Sequence, residues 1–514
     1  MKKFFLSGRW FLYTLMFSIL LLVVSCVNNT RTQKKSKTVN KLIKPEKQLA
    51  IQDVMLNDPA SFFYINFKNY PRHDAKLPVG IFDSGTGGLT VLDAILNSDN
   101  FNNKTHQKKK DGNIDFMAES FIYLGDKANM PYGEYPGNHK TRLLKEHVFK
   151  DVQFILGNKY YASQTAEKYQ TDKPLVKAIV IACNTATAYG KNDVEKFLKA
   201  AGLNLKVIGV IGAGVRGALE GISKNENAAI GIMATAGTVA SNGYPNTVAE
   251  QKKKLNYTGK MITFQQAGVG LAAAIDGERD YIDESLRSVR KNYRGPSFTN
   301  KIAPIDKSNL KRYNFDFSGN HILYTGNREN PEEIQLNSVN NYIKYHVISL
   351  LEKIRKSKST IKLKSIILGC THYPFFMNDF RQTLQYAYNY MENGKYVYRP
   401  YMEKKVSLVD PAINTAKELY TYLNNNDLFN NGTLSDSRFF ISVPNLDNKN
   451  IKLADSLNFT HAYKYGRKAG EIQQYVKRVP FSKRNLSADL LNRLKTKIPL
   501  TYHLIEGYMK ATKP

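Results

Sequence analysis

Short apolar runs recur along this chain, and each closes on a turn or a polar residue. The segments LPVGIFD (77–83), FIYLGD (121–126), VKAIVIAC (176–183), LKVIGVIG (205–212), AAIGIMAT (228–235) and LKSIILGC (363–370) are rich in aliphatic and β-branched residues. Their apolar character is nearly continuous rather than alternating, which predicts strands covered on both faces. Stretches with helical spacing separate them, such as LTVLDAIL (89–96). Strand and helix in alternation predict a parallel α/β architecture. In such folds ligands bind beyond the carboxyl ends of the strands. Asp83, Asp126, Cys183, Thr235 and Cys370 fall at those ends.

Two segments break the rhythm. Residues 98–118 are polar and rich in Lys and Asn, as expected of a surface insertion. Residues 279–345 are irregular and basic, and they delay the strand that ends at Cys370. Beyond about residue 456 a tail has helical patterning of its own, SADLLNRLKTKI (487–498). No catalytic motif is evident in the insertions or the tail, and no solenoid repeat is present.

The N-terminus has a different pattern. Lys2, Lys3 and Arg9 precede the apolar run WFLYTLMFSILLLVV (10–24), and Ser25-Cys26 follows. This is the layout of a signal peptide, and the run is short for a full membrane span. VVSC resembles a bacterial lipobox, which makes Cys26 the expected lipidation site. Residues 26–76 then serve as tether and linker, since 27–48 are polar, basic and without periodicity. The expected location is a membrane-anchored lipoprotein facing the periplasm or exterior, or the cytoplasm if the signal is not used.

Charge changes this picture little. The chain has 514 residues and a formal net charge of +30. Its lysines lie in short runs such as QKKKD (107–111) and QKKKL (251–255), with no interleaved aromatics and no nucleic-acid motif. That argues for a solvated basic surface and against nucleic acid as a partner.

Three cysteines, at 26, 183 and 370, cannot build a disulfide framework. Cys183-Asn184-Thr185 and Cys370-Thr371-His372 each follow an apolar strand. An isolated buried cysteine is usually a small hydrophobe, but two at equivalent strand ends in polar company point to chemistry. Two thiols and one histidine at these spacings do not make a metal site. A Cys/His nucleophile with His372 as base is a rival, although such dyads usually draw the histidine from elsewhere in the sequence. The turn SGTGG (84–88) offers backbone N–H groups to an anion and lacks the Gly-Lys-Ser/Thr ending of a P-loop. GAGVRG (212–217) matches G-x-G-x-x-G, but the next strand carries no acid to bind a ribose. No cofactor is expected.

Taken together, the motifs carry a resemblance. GIFDSGTGGLTVL (80–92), YLGDKANMPYGEYP (123–136), IACNTATA (181–188), IGIMATAGTVASNGY (230–244), LGCTHYPFF (368–376) and VDPAINTAKELYTYL (409–423) resemble, in order, segments of the cofactor-independent glutamate racemases, within the aspartate/glutamate racemase family. The resemblance covers roughly 77–275 and 360–445. It implies two similar doubly wound parallel-sheet domains with the active site between them. The first would comprise 77–204 plus 376–455 and the second 205–375, with the insertion at 279–345 and an extension at 456–514.

The resemblance also implies roles. Cys183 would take the α-proton from the D-isomer and Cys370 from the L-isomer, each returning a proton to what the other deprotonates. Asp83 and His372 would assist the thiols. Asp83, Ser84, Tyr132, Gly133, Asn184, Thr185, Thr371 and His372 would contact an acidic amino acid. The product D-glutamate would feed peptidoglycan synthesis, and a homodimer stays open. The sequence departs from the family in two places. The family's PLVEEG glutamate has no direct counterpart in FQQAGVGLAAAIDGERD (264–280), where Asp276 is the nearest acid and Glu278 a second candidate. The family's VIEPG is VIGAG (210–214), which removes an acid and a proline. With the export signal, these departures support an alternative: an exported racemase-like lipoprotein that acts on aspartate or another amino acid, or binds without turnover.

Overall fold

The apolar runs assemble into two separate parallel sheets. The computed structural model of the chain describes residues 48–512. The signal-peptide reading of residues 1–25 and the lipidation reading of Cys26 lie outside the described residues. Among them, no helix is long and apolar enough to cross a membrane.

The first sheet has six strands, in the order Val476–Pro480, Arg438–Pro444, Phe121–Gly125, Val79–Asp83, Ala178–Ile181 and Lys206–Gly209. All neighbours pair in parallel except the edge strand Val476–Pro480, which is antiparallel. The second sheet has four parallel strands, in the order Met402–Val409, Leu363–Gly369, Ala228–Ala234 and Met261–Ala267. Val79–Asp83, Phe121–Gly125, Ala178–Ile181 and Ala228–Ala234 are buried throughout, as their continuous apolar character requires.

Strand order decides where a ligand can enter. In the first sheet the chain leaves Val79–Asp83 toward one edge and Ala178–Ile181 toward the other. In the second it leaves Ala228–Ala234 toward one edge and Leu363–Gly369 toward the other. Connecting helices therefore diverge to opposite faces at each of these pairs and leave a crevice at the strands' carboxyl ends. The turns after these four strands carry Ser84, Cys183, Thr235 and Cys370.

The linker expected up to residue 76 is partly folded, since helix Ala50–Asn57 buries Ile51 and Met55, and Phe63 and Tyr70 are also buried. Three boundaries at the sheets differ as well. Lys206–Gly209 was expected to open the second domain but pairs with Ala178–Ile181 and closes the first sheet. Met402–Val409 was expected in the first domain but extends the second sheet beside Leu363–Gly369. The segment expected as a separate extension contributes Val476–Pro480 to the first sheet, where it caps the edge of Arg438–Pro444. In each case backbone hydrogen bonds at an otherwise open sheet edge set the membership. The G-x-G-x-x-G match is also explained. The strand ends at Gly209, and Val210–Glu220 is helical, so these glycines lie inside a helix rather than in a phosphate-binding turn. A Cβ on Gly214 would come within 3.0 Å of Pro411 and 3.1 Å of Ile367, which identifies it as a close-packing contact.

The tail is part of the core. Helix Ala488–Lys497 buries Leu490 and Leu494, and helix Pro499–Ala511 buries Ile505 and Thr501. Thr501 donates to Asp93 Oδ1 at 2.8 Å, on the helix that follows the first strand. Replacing Leu494 by alanine is expected to cost about 2–5 kcal/mol, the usual range for an aliphatic side chain truncated in a core. A thermal unfolding midpoint equal to wild type would show instead that the tail is not integral to the fold.

Candidate active site

Four strand ends meet at one cleft, because both sheets direct their crevices into it. The cleft is narrow, and Ser84, Gly133, Cys183, Thr235, Cys370 and His372 are among the residues that line it. Both thiols are free and buried. Tyr132, Asn184, Thr185, Asp276 and Thr371 also line the cleft. Asp83 sits beneath it, where its Oδ2 accepts from the N–H of Gly88 at 2.8 Å and of Gly85 at 3.3 Å. The glycine-rich turn thus folds around a carboxylate of its own chain rather than around a phosphate. A Cβ on Gly87 would lie 2.6 Å from the His372 ring, so only glycine lets this turn approach the second sheet.

The surroundings of the two thiols differ. Cys183 caps helix Asn184–Ala200, with its Sγ accepting from the Ala186 N–H at 3.4 Å and lying 3.6 Å from Ser84 Oγ. Burial, reinforced by the Asp83 carboxylate, pushes the Cys183 thiol far up, against the Ala186 N–H and Ser84. Cys370 instead faces a cation. Its Sγ lies 3.5 Å from His372 Nδ1, and His372 Nε2 bonds Asp276 Oδ2 at 2.6 Å. Burial alone would lower the imidazole, but Asp276 and then Cys370 hold it well above its ordinary value. Burial likewise opposes ionisation of Asp276, and the His372 charge reverses that and holds its carboxyl below the usual range. One thiol therefore sits where the proton is retained, and the other lies against an imidazolium.

Of the two candidate acids, Asp276 meets His372. Glu278 is raised to about 7 by burial, with Lys464 opposing that rise, and does not line the cleft.

Hydroxyls and one amide complete the lining. Thr185, Thr235 and Thr238 bond one another through their Oγ1 atoms at 2.8–3.0 Å, which joins the Cys183 helix to the turn after Ala228–Ala234. Asn184 Oδ1 accepts from the Tyr244 hydroxyl at 2.5 Å, which fixes the carboxamide. Thr371 is anchored through its carbonyl, which accepts from Thr90 Oγ1 at 2.9 Å. Hydroxyls with the N-terminus of a long helix suit a carboxylate.

Tyr132 lines the cleft, but not with its hydroxyl free. Its hydroxyl lies 2.6 Å from both Asp126 Oδ2 and Asp151 Oδ2, in a fully buried network closed by Arg478. That hydroxyl is committed to Asp126 and Asp151, so the cleft meets the rest of Tyr132 and the turn around it, including Gly133. Sequence reading also gave no sign that the tail reaches the site. Arg493 Nη2 lies 3.2 Å from Asp276 Oδ1, and Lys464 Nζ donates to the Met130 carbonyl at 2.5 Å. A charged residue on an amphipathic helix looks the same whether it meets water or a buried acid. Among the described residues no group of three His, Cys, Asp or Glu side chains could hold a metal ion.

No family model matches the chain. It is similar to glutamate racemase 1 of Caldanaerobacter subterraneus subsp. tengcongensis, with 25% identity over 374 residues, covering 72% of this chain and 88% of that protein. A glutamate racemase of a Sulfurihydrogenibium species is 34% identical over 179 residues, covering 35% of this chain and 52% of that protein. This chain thus spans most of the first relative and about half of the second. Among solved structures, a glutamate racemase isoform from Bacillus anthracis aligns with a TM-score of 0.41 at 21% identity, over 72% of this chain and 88% of that one.

The His372–Asp276 pair makes a pH prediction. His372 is raised, so its contribution to stability is complete below the free imidazole value of about 6.5 and is lost as pH rises through its folded value. Asp276 is lowered, so its contribution is complete above about 3.9 and is lost as pH falls through its folded value. Asp276→Asn is expected to bring the His372 titration down, read by histidine-selective NMR. An unmoved His372 resonance would show that the carboxylate does not hold the imidazolium.

Proposed function

We propose that the chain is an isomerase, a cofactor-independent amino-acid racemase with glutamate as its preferred substrate. The observation that carries the reading is a pair of buried thiols at the carboxyl ends of two different sheets, lining one cleft with Asp83 behind one and His372 beside the other. The similarity to glutamate racemases supports the substrate class. Racemisation needs a base on one face of the α-carbon and an acid on the other. From the L-isomer, the Cys370 thiolate takes the α-proton and becomes a thiol. The Cys183 thiol then gives its proton to the opposite face of the carbanion and becomes a thiolate. The D-isomer is released, and the sulfurs return to their starting forms by turnover in reverse or by exchange with water. The local charges suit this resting state, since burial with Asp83 favours the proton on Cys183, while Cys370 lies 3.5 Å from His372, which is held well above its ordinary value.

The α-proton is very weakly acidic, so the carbanion must be stabilised by the site. The Thr185 and Thr235 hydroxyls, backed by Thr238, with Asn184 and the Cys183 helix N-terminus are the donors for the substrate carboxylates, in a cleft that excludes most water. Circular dichroism of L- and D-glutamate with Cys183→Ser and Cys370→Ser tests the assignment. Each variant is expected to lose about 10²–10⁴-fold in turnover, the scale of a general acid or base. Turnover equal to wild type in either would remove that thiol from the mechanism.

The same reading makes D-glutamate for peptidoglycan the natural product. The apolar N-terminal run and VVSC at 23–26 support a membrane-anchored form. The departures at 210–214 and 264–280 favour including aspartate and binding without turnover as outcomes of the assay. Release of the protein from the membrane fraction by Cys26→Ala would support the anchor, and unchanged fractionation would contradict it.

A further inference from the structure

The C-terminal extension reaches the more charged half of the site. Helix Ala488–Lys497 is held to the body by buried Leu490 and Leu494, and it presents Arg493 to the turn that ends in Asp276. The guanidinium makes three contacts there. Its Nη2 lies 3.2 Å from Asp276 Oδ1, its Nη1 donates to the Ile275 carbonyl, and its plane lies 5.7 Å from the Phe375 ring centre. Asp276 uses its other oxygen for His372, which lies against Cys370. The two carboxylate oxygens are therefore divided between a tail residue and the thiol's neighbour. A fork bound to both the Asp276 side chain and the preceding carbonyl fixes where the carboxylate can stand, which a point charge does less well.

We propose that Arg493 is a positioning residue for the Cys370 half of the site, acting through Asp276 and His372. This rests on the reading of Cys370 as a proton carrier. It assigns the extension a function beyond closing the first sheet, because the site is assembled only when Ala488–Lys497 is docked. The guanidinium also brings positive charge toward a cluster that already contains Asp276 and His372. Asp83 and Cys183 face it from the first sheet, Lys127 from the turn after Phe121–Gly125, and Glu278 from beyond Asp276. The phenols of Tyr244 and Tyr373 face Cys370, and that of Tyr123 faces Asp83, Asp276 and Cys183. Removing Arg493 takes away one cation and frees the carboxylate to turn from the imidazole. Both effects disfavour a thiolate at Cys370.

The test uses the full chain with Arg493→Met, Arg493→Gln and Arg493→Lys. Turnover of glutamate is expected to fall by about 10²-fold in the Met and Gln variants, the scale of a misplaced catalytic group, and to recover partly with Lys. Independently of turnover, iodoacetamide labelling of Cys370 is followed against pH in the Cys183→Ser background, with the labelled site read by peptide mass mapping. The labelling midpoint is expected to move to higher pH in the Met and Gln variants and back with Lys. An unmoved midpoint overturns the proposal whether or not turnover falls, because loss of activity alone is what a merely structural role would give. If the wild type racemises no acidic amino acid, the proposed function fails, while the labelling midpoint still decides whether Arg493 controls Cys370.

Discussion

Everything in the cleft depends on two sheets in which the chain's order of strands reverses in the middle, with both crevices at the carboxyl ends opening on the same cleft. One crevice between diverging helices would place one thiol. Two crevices opening on one cleft place Ser84 and Cys183 on one wall, and Thr235 and Cys370 on the other. The close contacts between the walls follow from this. Gly87 lies under the His372 ring, Thr90 bonds the Thr371 carbonyl, and Thr185 bonds Thr235.

With the walls fixed, electrostatics separates two residues of the same type. Cys183 sits over a buried carboxylate that is itself satisfied by the glycine-rich turn, and Cys370 sits against an imidazolium held by Asp276. A buried ion pair stabilises little on its own account, since desolvation of its members offsets most of their attraction. Here the pair stands beside one sulfur and not the other, with His372 Nδ1 3.5 Å from Cys370 Sγ. Of the two acids that flank Gly277, Asp276 is the one that meets His372. Arg493, from far along the chain, then accepts the demand for a second partner that a buried carboxylate makes.

Much of the site was legible in the sequence, because strands buried on both faces leave an unmistakable apolar run and end on the residues that face a ligand. Asp83, Cys183, Thr235 and Cys370 were all placed this way. The edge strands were less visible. Met402–Val409 is exposed over much of its length and carries Glu403, Lys404 and Lys405. Val476–Pro480 contains Lys477 and Arg478, buried because Asp447 and Asp151 meet them, so its sequence looks like a surface. The partners of the Tyr132 hydroxyl were hidden for a related reason. Motif order puts its turn at the cleft, but only Asp126 and Asp151 in three dimensions decide which way the phenol turns. Arg493 left no signal, because its partner lies more than two hundred residues away.

The central claim is that two different groups act on opposite faces of one α-carbon. The direct measurement is where deuterium appears when L-glutamate is turned over in deuterated water and stopped early. Two facing thiols predict α-deuterium in the D-glutamate formed and none in the L-glutamate recovered. Early deuterium in both pools would mean that one group serves both faces, and would contradict the account.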